Sequence, residues 1–324
     1  MDEFEIIRSY FCRQVADPQL KIGIGDDCAV FNPGSGHIAV TTDTLVEGVH
    51  FFSDADPETV GFKSLAVNVS DLAAMGAVPK YFTLALTIPE YNRRFLEKFS
   101  HGLFRMASSC GISLIGGDTT HGPLSITITA IGTTKPGMEI TRSGARPGDE
   151  IYVSGELGGA ALAVFLKSNA THLTDPLLES DSFMKLDYPQ PRVELGCSLA
   201  GVATSMLDLS DGLSSDLMHI LEQSATGAHI ELEQIPYSRS LFELDLFNRI
   251  NFAVSGGDDY ELCFTVPPEK RNALKEIAEK LGISVTKIGT VTADRGEITY
   301  TLNGIPFDIK TRGYNHFAKE PRFL

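Results

Sequence analysis

Lys135–Asp149 reads KPGMEITRSGARPGD, and the reading of the fold turns on that stretch. Pro136, Gly137, Gly144, Pro147 and Gly148 break both helix and strand periodicity, so the chain crosses it as a run of turns. Long segments with strands and helices of their own lie on either side. The chain has 324 residues, 43% of them hydrophobic, whereas single cores stop growing at roughly 250–300 residues. The stretch therefore marks a domain junction, with an N-terminal domain over 1–137 and a C-terminal domain over 138–324.

Working back from the junction, Leu124–Gly132 and Ile112–Ile115 read as strands, Glu90–Ser109 as a helix and Tyr81–Ile88 as a strand. A further helix starts with Pro57 at its first position and runs to about Met75, where Gly76 and Pro79 stop it. Ile38–Thr42 is a short strand that ends at Asp43. Working forward, Glu150–Ser154 is a strand and Ala160–Leu166 a helix, and Pro189–Pro191 opens another helical stretch. Ser205–Leu209 reads as a strand and Gly212–Ser224 as a helix. Phe252–Ser255 and Glu261–Val266 read as strands, followed by an amphipathic helix over Glu269–Leu281. Strands and helices mixed in this way in both halves give a two-domain α+β chain.

The balance of 42 Asp and Glu against 27 Lys and Arg, a formal charge of −15, argues against nucleic acid or an anionic membrane as partner. Such a surface still accommodates a phosphorylated substrate where metal ions mediate the contact. The five cysteines are scattered without CxxC spacing, which fits reduced thiols in the cytoplasm better than a disulfide framework or a zinc site. No apolar run reaches the ~18 residues of a membrane span, and the acidic N-terminus is no signal peptide.

Several nucleotide motifs are missing. There is no GxxxxGK[ST], no Gly-Lys pair, no HRD or DFG triplet and no GxSxG. The run Gly155–Gly159 between a strand and a helix has the composition of a phosphate cradle, although a tight turn accounts for it better. In their place stand six short segments in which aspartate sits beside glycine, threonine or serine at the end of an apolar run. They are GIGDD (23–27), TTDTLVE (41–47), NVSD (68–71), GGDTT (116–120), DLSDG (208–212) and GGDDYE (256–261). A single such aspartate is usually a cap or turn former; six together are harder to dismiss. Asp71 falls inside the apolar helical run Ser64–Met75, where an ionised carboxylate is costly unless paired or metal-bound. Asp208 follows Met206-Leu207 at a strand-to-helix junction, with Ser210 and Asp211 close behind. Carboxylate and hydroxyl oxygens without clustered histidines suit a hard cation, Mg²⁺ above all.

Taken in order, GIGDD, TDTLVEGVHF, NVSDLAAMGA, IGGDTT, TRSGARPGD, LDLSDGLSSDL, SGGDDYEL and GYNHF resemble the motifs of the thiamine-monophosphate kinases. That family shares its superfamily with aminoimidazole ribonucleotide synthetase and selenophosphate synthetase. The resemblance runs from about Phe4 to Phe317. It implies an N-terminal α/β domain that pairs into a homodimer through a shared β-barrel, a C-terminal α+β domain, and ATP bound between the domains with several Mg²⁺ on its phosphates. It also implies Asp27, Thr41, Thr42, Asp43, Asp71, Asp118, Asp208 and Asp211 as metal ligands, and Gly117, Asp118, Arg142 and Ser210 as ATP contacts. Asp43, Asp71, Asp118, Arg142 and Asp208 would carry the catalysis, while His50, Asp258 and Tyr314 would contact thiamine monophosphate.

A phosphate monoester acceptor has a second pKa of ~6, so its attacking oxygen is mostly deprotonated at neutral pH and needs no strong base. What the reaction needs is relief of repulsion between two anionic phosphates, which Mg²⁺ on a carboxylate frame and Arg142 would supply. Direct transfer without a phosphoenzyme is the expectation. The residues by themselves leave open a two-metal phosphohydrolase and a non-catalytic nucleotide or metal sensor.

Overall fold

The computed structural model describes residues 3–22 and 30–309. Asp27 and Tyr314 lie outside the described residues. The chain divides into two compact units, one of Met1–Leu72 with Ala77–Glu139, the other of Ala73–Gly76 with Ile140–Leu324.

The first unit opens with α1 (Glu3–Ile6), a π-helical stretch at Ile7–Phe11 and the short antiparallel strands β1 (Leu20–Ile22) and β2 (Val30–Phe31). There follow β3 (His37–Val46), α2 (Pro57–Ala74), β4 (Val78–Ile88), α3 (Arg93–Cys110), β5 (Ser113–His121) and β6 (Ser125–Thr134). The sheet runs β3-β6-β4-β5, antiparallel except for β4 and β5, whose parallel pairing requires a crossover such as α3. Period-two burial is plain on β6, where Ile126, Ile128 and Ala130 are buried and Thr127, Thr129 and Ile131 are not. In register with them, Thr41, Asp43 and Leu45 share the buried face of β3, while Val40, Thr42 and Thr44 share the exposed one. Sequence reading ends β3 at Asp43, yet the ladder continues to Val46 opposite Ser125. The polar residue does not stop it, because its backbone N–H keeps a partner in Asn68.

Helix α2 is buried on nearly every side from Thr59 to Ser70, so it carries no amphipathic stripe. Helix α3 is amphipathic, capped by the Asn92 side chain on Phe95 N–H and ended by left-handed Gly111. The sheet is open at β3 and β5, and no closed barrel is present among the described residues.

The second unit contains β7 (Glu150–Ser154), α4 (Gly159–Asn169), α5 (Pro176–Asp187), α6 (Val193–Ser198), β8 (Ser205–Asp208), α7 (Leu213–Ser224) and β9 (Gly227–Glu231). It continues with α8 (Leu246–Ser255), β10 (Leu262–Val266), α9 (Arg271–Leu281), β11 (Val285–Thr292), β12 (Ile298–Leu302) and β13 (Ile305–Phe307). Seven strands order as β13-β12-β9-β11-β7-β10-β8, antiparallel except for β9 with β12. Ile151, Val153 and Leu207 pack with α4, α7 and α8 in one core, while Tyr152, Met206, Phe264 and Leu262 pack with α6 and α9 in another. Both faces of the central strands are therefore covered, and β7 and β10 are buried at every position.

Phe252–Ser255, a strand by sequence reading, is the last turn of α8. Asp245 accepts Asn248 N–H and starts that helix ahead of the apolar run. Helix α5, with Asp175 as its cap and Pro176 at its first position, has no counterpart in the sequence reading.

Candidate active site

In the first unit, β3 and α2 bring three of the expected ligands together. Asn68 is buried; its Nδ2 donates to the Ser64 carbonyl at 3.1 Å and its Oδ1 accepts Asp43 N–H at 3.1 Å. This bond fixes the strand backbone against the helix at Asp43. Asp71 lies three residues further along α2, on the same face as Asn68. The Thr41 hydroxyl donates to Asp71 Oδ2, and Asp43 is hydrogen-bonded to Asp71. Burial pushes the Asp43 carboxyl up to about 6, with the Asp71 charge and hydrogen bond adding to the rise. Two carboxylates held this close share either a proton or a cation.

Thr42 and Asp118 are placed differently. Thr42 lies on the other face of β3, its hydroxyl 2.9 Å from the Thr129 hydroxyl. Asp118 is exposed, in register with exposed Ala85, and alternates with buried Thr119. The sheet thus separates both from the Thr41–Asp43–Asp71 group. Gly117 has φ +151°, and a Cβ there would sit 1.9 Å from the Leu84 carbonyl oxygen, so only glycine lets β5 approach β4. His50 sits in the turn after β3, where its Nδ1 accepts Val46 N–H at 3.0 Å, which leaves the ring proton on Nε2.

In the second unit, Asp208 ends β8 and the DLSDG loop leads into α7. Asp216, on the first turns of that helix, accepts the backbone N–H groups of Ser210 at 3.0 Å, Asp211 at 3.0 Å and Gly212 at 3.1 Å, all on Oδ2. Successive N–H groups at a helix start are an anion site. Here the chain's own carboxylate fills it, so these N–H groups are not offered to a phosphate. The loop instead carries Asp208, only 7% exposed, and Asp211, a donor set for a cation. Burial pushes the Asp216 carboxyl up to about 7, Asp211 adds to the rise, and the three N–H bonds oppose it. Sequence reasoning missed Asp216. Its signal was position: a carboxylate four residues past the first loop residue without a Cβ, able to reach back as in a capping box.

The GGDDYE loop lies directly alongside. Asp258 N–H donates to the Ser210 carbonyl at 2.9 Å, and Tyr260 N–H to the Leu209 carbonyl at 2.7 Å. Asp259, Glu261 and Arg192, also missed, anchor that loop. Asp259 accepts Gly158 N–H at 2.9 and 3.0 Å on its two oxygens, and burial holds its carboxyl well above the usual range. With that N–H taken, the Gly155–Gly159 run serves as a turn. Glu261 takes Arg192 Nε at 2.7 Å and Nη2 at 2.5 Å. Arg142 is exposed; the Ser224 hydroxyl donates to its carbonyl at 3.4 Å and accepts the N–H groups of Gly144 and Ala145. Thr141 next to it accepts Met206 N–H, which sets the segment beside the start of β8.

Among the described residues no three His, Cys, Asp or Glu side chains gather tightly enough to hold a metal ion by themselves. Pairs of carboxylates with neighbouring hydroxyls are what each unit offers.

The family models for AIR synthase related proteins match this chain over 25–134 for the N-terminal domain and 146–301 for the C-terminal domain. A thiamine-monophosphate kinase of Escherichia coli K12 is 44% identical over 98% of this chain and 98% of its own length. One from Bacillus subtilis is 35% identical, covering 98% and 100%. The crystal structure of the Stenotrophomonas maltophilia thiamine-monophosphate kinase superposes with a TM-score of 0.83 at 42% identity, over 90% of this chain and 93% of that one. A structure of AaThiL complexed with AMPPCP and TMP superposes with a TM-score of 0.77 at 31% identity, covering 91% and 92%.

Proposed function

The chain belongs to the AIR synthase related family and within it to the thiamine-monophosphate kinases, and from that premise we propose that it transfers the γ-phosphate of ATP to thiamine monophosphate. It is a kinase. The relative complexed with AMPPCP and TMP supports the substrate pair. The observation that carries the chemistry is the opposed pair Asp43 and Asp71, one of whose carboxyls is pushed up to about 6.

Oxygen-only donors at Thr41, Asp43 and Asp71, and again at Asp208 and Asp211, fit Mg²⁺, which takes one or two carboxylates and completes its shell with water and phosphate oxygens. Bound there, Mg²⁺ would neutralise phosphate charge. Asp27 belongs to the proposed ligand set, and Thr42 and Asp118, on the other face of the sheet, would serve an ion apart from the Thr41–Asp43–Asp71 group, so several ions are part of the reading. Gly117, Asp118, Arg142 and Ser210 are the proposed nucleotide contacts, with the Arg142 guanidinium exposed for that purpose. His50, with Asp258 and Tyr314, is proposed for the acceptor. The reading is a direct in-line transfer. The acceptor phosphate is mostly ionised at neutral pH and needs no side-chain nucleophile, which favours a single step.

We further propose a homodimer. Val40 is 61% exposed and Ile38 and Val78 47% each, at the strand starts of the same sheet, an apolar surface that a barrel made with a second chain would cover. No described helix is long and apolar enough to cross a membrane, and a cytoplasmic setting is the proposal.

The test is incubation with ATP, Mg²⁺ and thiamine monophosphate, followed by chromatography of the thiochrome products and by acid quench with ³²P-labelled ATP. Thiamine diphosphate without label on the protein is the expected result. Phosphate release without it would move the chain to a hydrolase, and label on the protein would overturn direct transfer.

The Asp43 shift also sets a pH dependence. Its usual value is 3.8 and its folded value about 6, so between the two the folded chain holds a proton that the unfolded chain has released. Stability from that proton is present below the lower value and lost as pH rises through the upper one. At pH 7.5 Asp43 has lost that proton and a cation would take its place. Millimolar Mg²⁺ is expected to raise the melting temperature by about 2–4 °C at pH 7.5 and by much less at pH 5. Equal shifts at the two pH values would remove the pair from the metal set.

A further inference from the structure

We propose that Tyr260 is a positioning residue for the acceptor, holding the Asp258 carboxylate in the orientation that receives it. The inference rests on the kinase reading above and adds a residue to it. In the GGDDYE loop two non-glycine residues are left-handed, Asp258 at φ 68° and Tyr260 at φ 50°. Aspartate visits that region at modest cost, but a bulky aromatic residue there is an outlier and persists only where its surroundings fix it.

The surroundings do fix it. The backbone N–H groups of Asp258 and Tyr260 are both spent on the DLSDG loop, at the carbonyls of Ser210 and Leu209. The alternate residues Asp259 and Glu261 turn the other way and anchor on Gly158 and Arg192. Gly257 allows the close pass, since a Cβ there would lie 2.3 Å from the Ser210 carbonyl oxygen. The loop is thereby divided: 259 and 261 serve as anchors, and 258 and 260 are displayed by strained backbone. The displayed pair is joined, for the Tyr260 hydroxyl donates to Asp258 Oδ1 at 3.1 Å. That bond spans Asp259, whose own carboxylate is spent on Gly158 N–H. It removes one rotational freedom from the Asp258 carboxylate. A carboxylate so held suits the cationic, amino-bearing heteroaromatic acceptor, and a pre-set orientation lowers the entropy lost on binding.

Tyr260→Phe keeps the ring and the backbone and removes only the donor. It is expected to raise KM for thiamine monophosphate about tenfold, as for loss of a hydrogen bond to a charged group, while kcat and KM for ATP stay within about twofold. In an Asp258→Ala background the same change is expected to add nothing, because Tyr260 acts through that carboxylate. An unchanged KM, an equal rise in KM for ATP, or full additivity with Asp258→Ala would each overturn the positioning role. Wild-type protein that uses ATP but not thiamine monophosphate would overturn the kinase reading, and this inference with it.

Discussion

Asp71→Asn is expected to lower turnover by about a hundredfold or more while leaving the apo protein as stable as wild type, or more so, at pH 7.5. The two halves of that expectation have one cause. The raised Asp43 carboxyl reports burial first and the neighbouring Asp71 charge second, so two acidic groups are held together at a cost that is largest where both are ionised. An amide at 71 still accepts from the Thr41 hydroxyl and donates to Asp43, so the local bonds survive while the repulsion goes. Removing the repulsion is worth on the order of 1 kcal/mol, part of the Asp43 shift being burial alone. The same amide is a poor ligand for Mg²⁺ and brings no negative charge to it. Thiochrome chromatography of single time points gives turnover, and thermal melts without Mg²⁺ give stability. Full activity with a loss of several kcal/mol would show that Asp71 is a structural carboxylate and would dismantle the proposed metal frame. A stable, inactive variant places it among residues kept for function against stability.

Asp71 was legible because it interrupts an apolar helical run, and burial cost alone makes such a residue conspicuous. Asn68 was written in the same NVSD segment but gave no signal, since a buried asparagine matters only through the strand it meets, here at Asp43 N–H. Strands β7 and β10 were read closely because short, mostly apolar runs between turn residues have few other uses. The same rule failed at Phe252–Ser255, where the Asp245 cap lay outside the window. The separation of Asp118 from Asp43 depends on registers across four strands, including an irregularity between Phe82 and Thr83, and no local pattern encodes it. Asp216 was hidden for a related reason. Its role is defined by three backbone N–H groups, which the sequence does not display.

Arg192→Ala carries the largest expected loss of stability. Glu261 is 7% exposed, and besides the two bonds from Arg192 it has the Ser154 hydroxyl at 2.5 Å. Truncating the arginine leaves a desolvated carboxylate with that hydroxyl as its remaining donor. Breaking a buried pair from one side costs about 3–5 kcal/mol, and the lower end applies because the Arg192 side chain keeps 25% of its exposure. The urea midpoint should fall with an unchanged slope, the mark of altered stability without altered compactness. Pairing Arg192→Met with Glu261→Leu should lose less than Arg192→Ala, since an apolar pair leaves no orphaned charge. Glu261 directly follows Tyr260, so the double variant should regain stability without regaining affinity for the acceptor. A single-variant loss under about 0.5 kcal/mol would mean the pair behaves as a solvent-screened bridge, and the anchoring of the loop would then have to rest on Asp259.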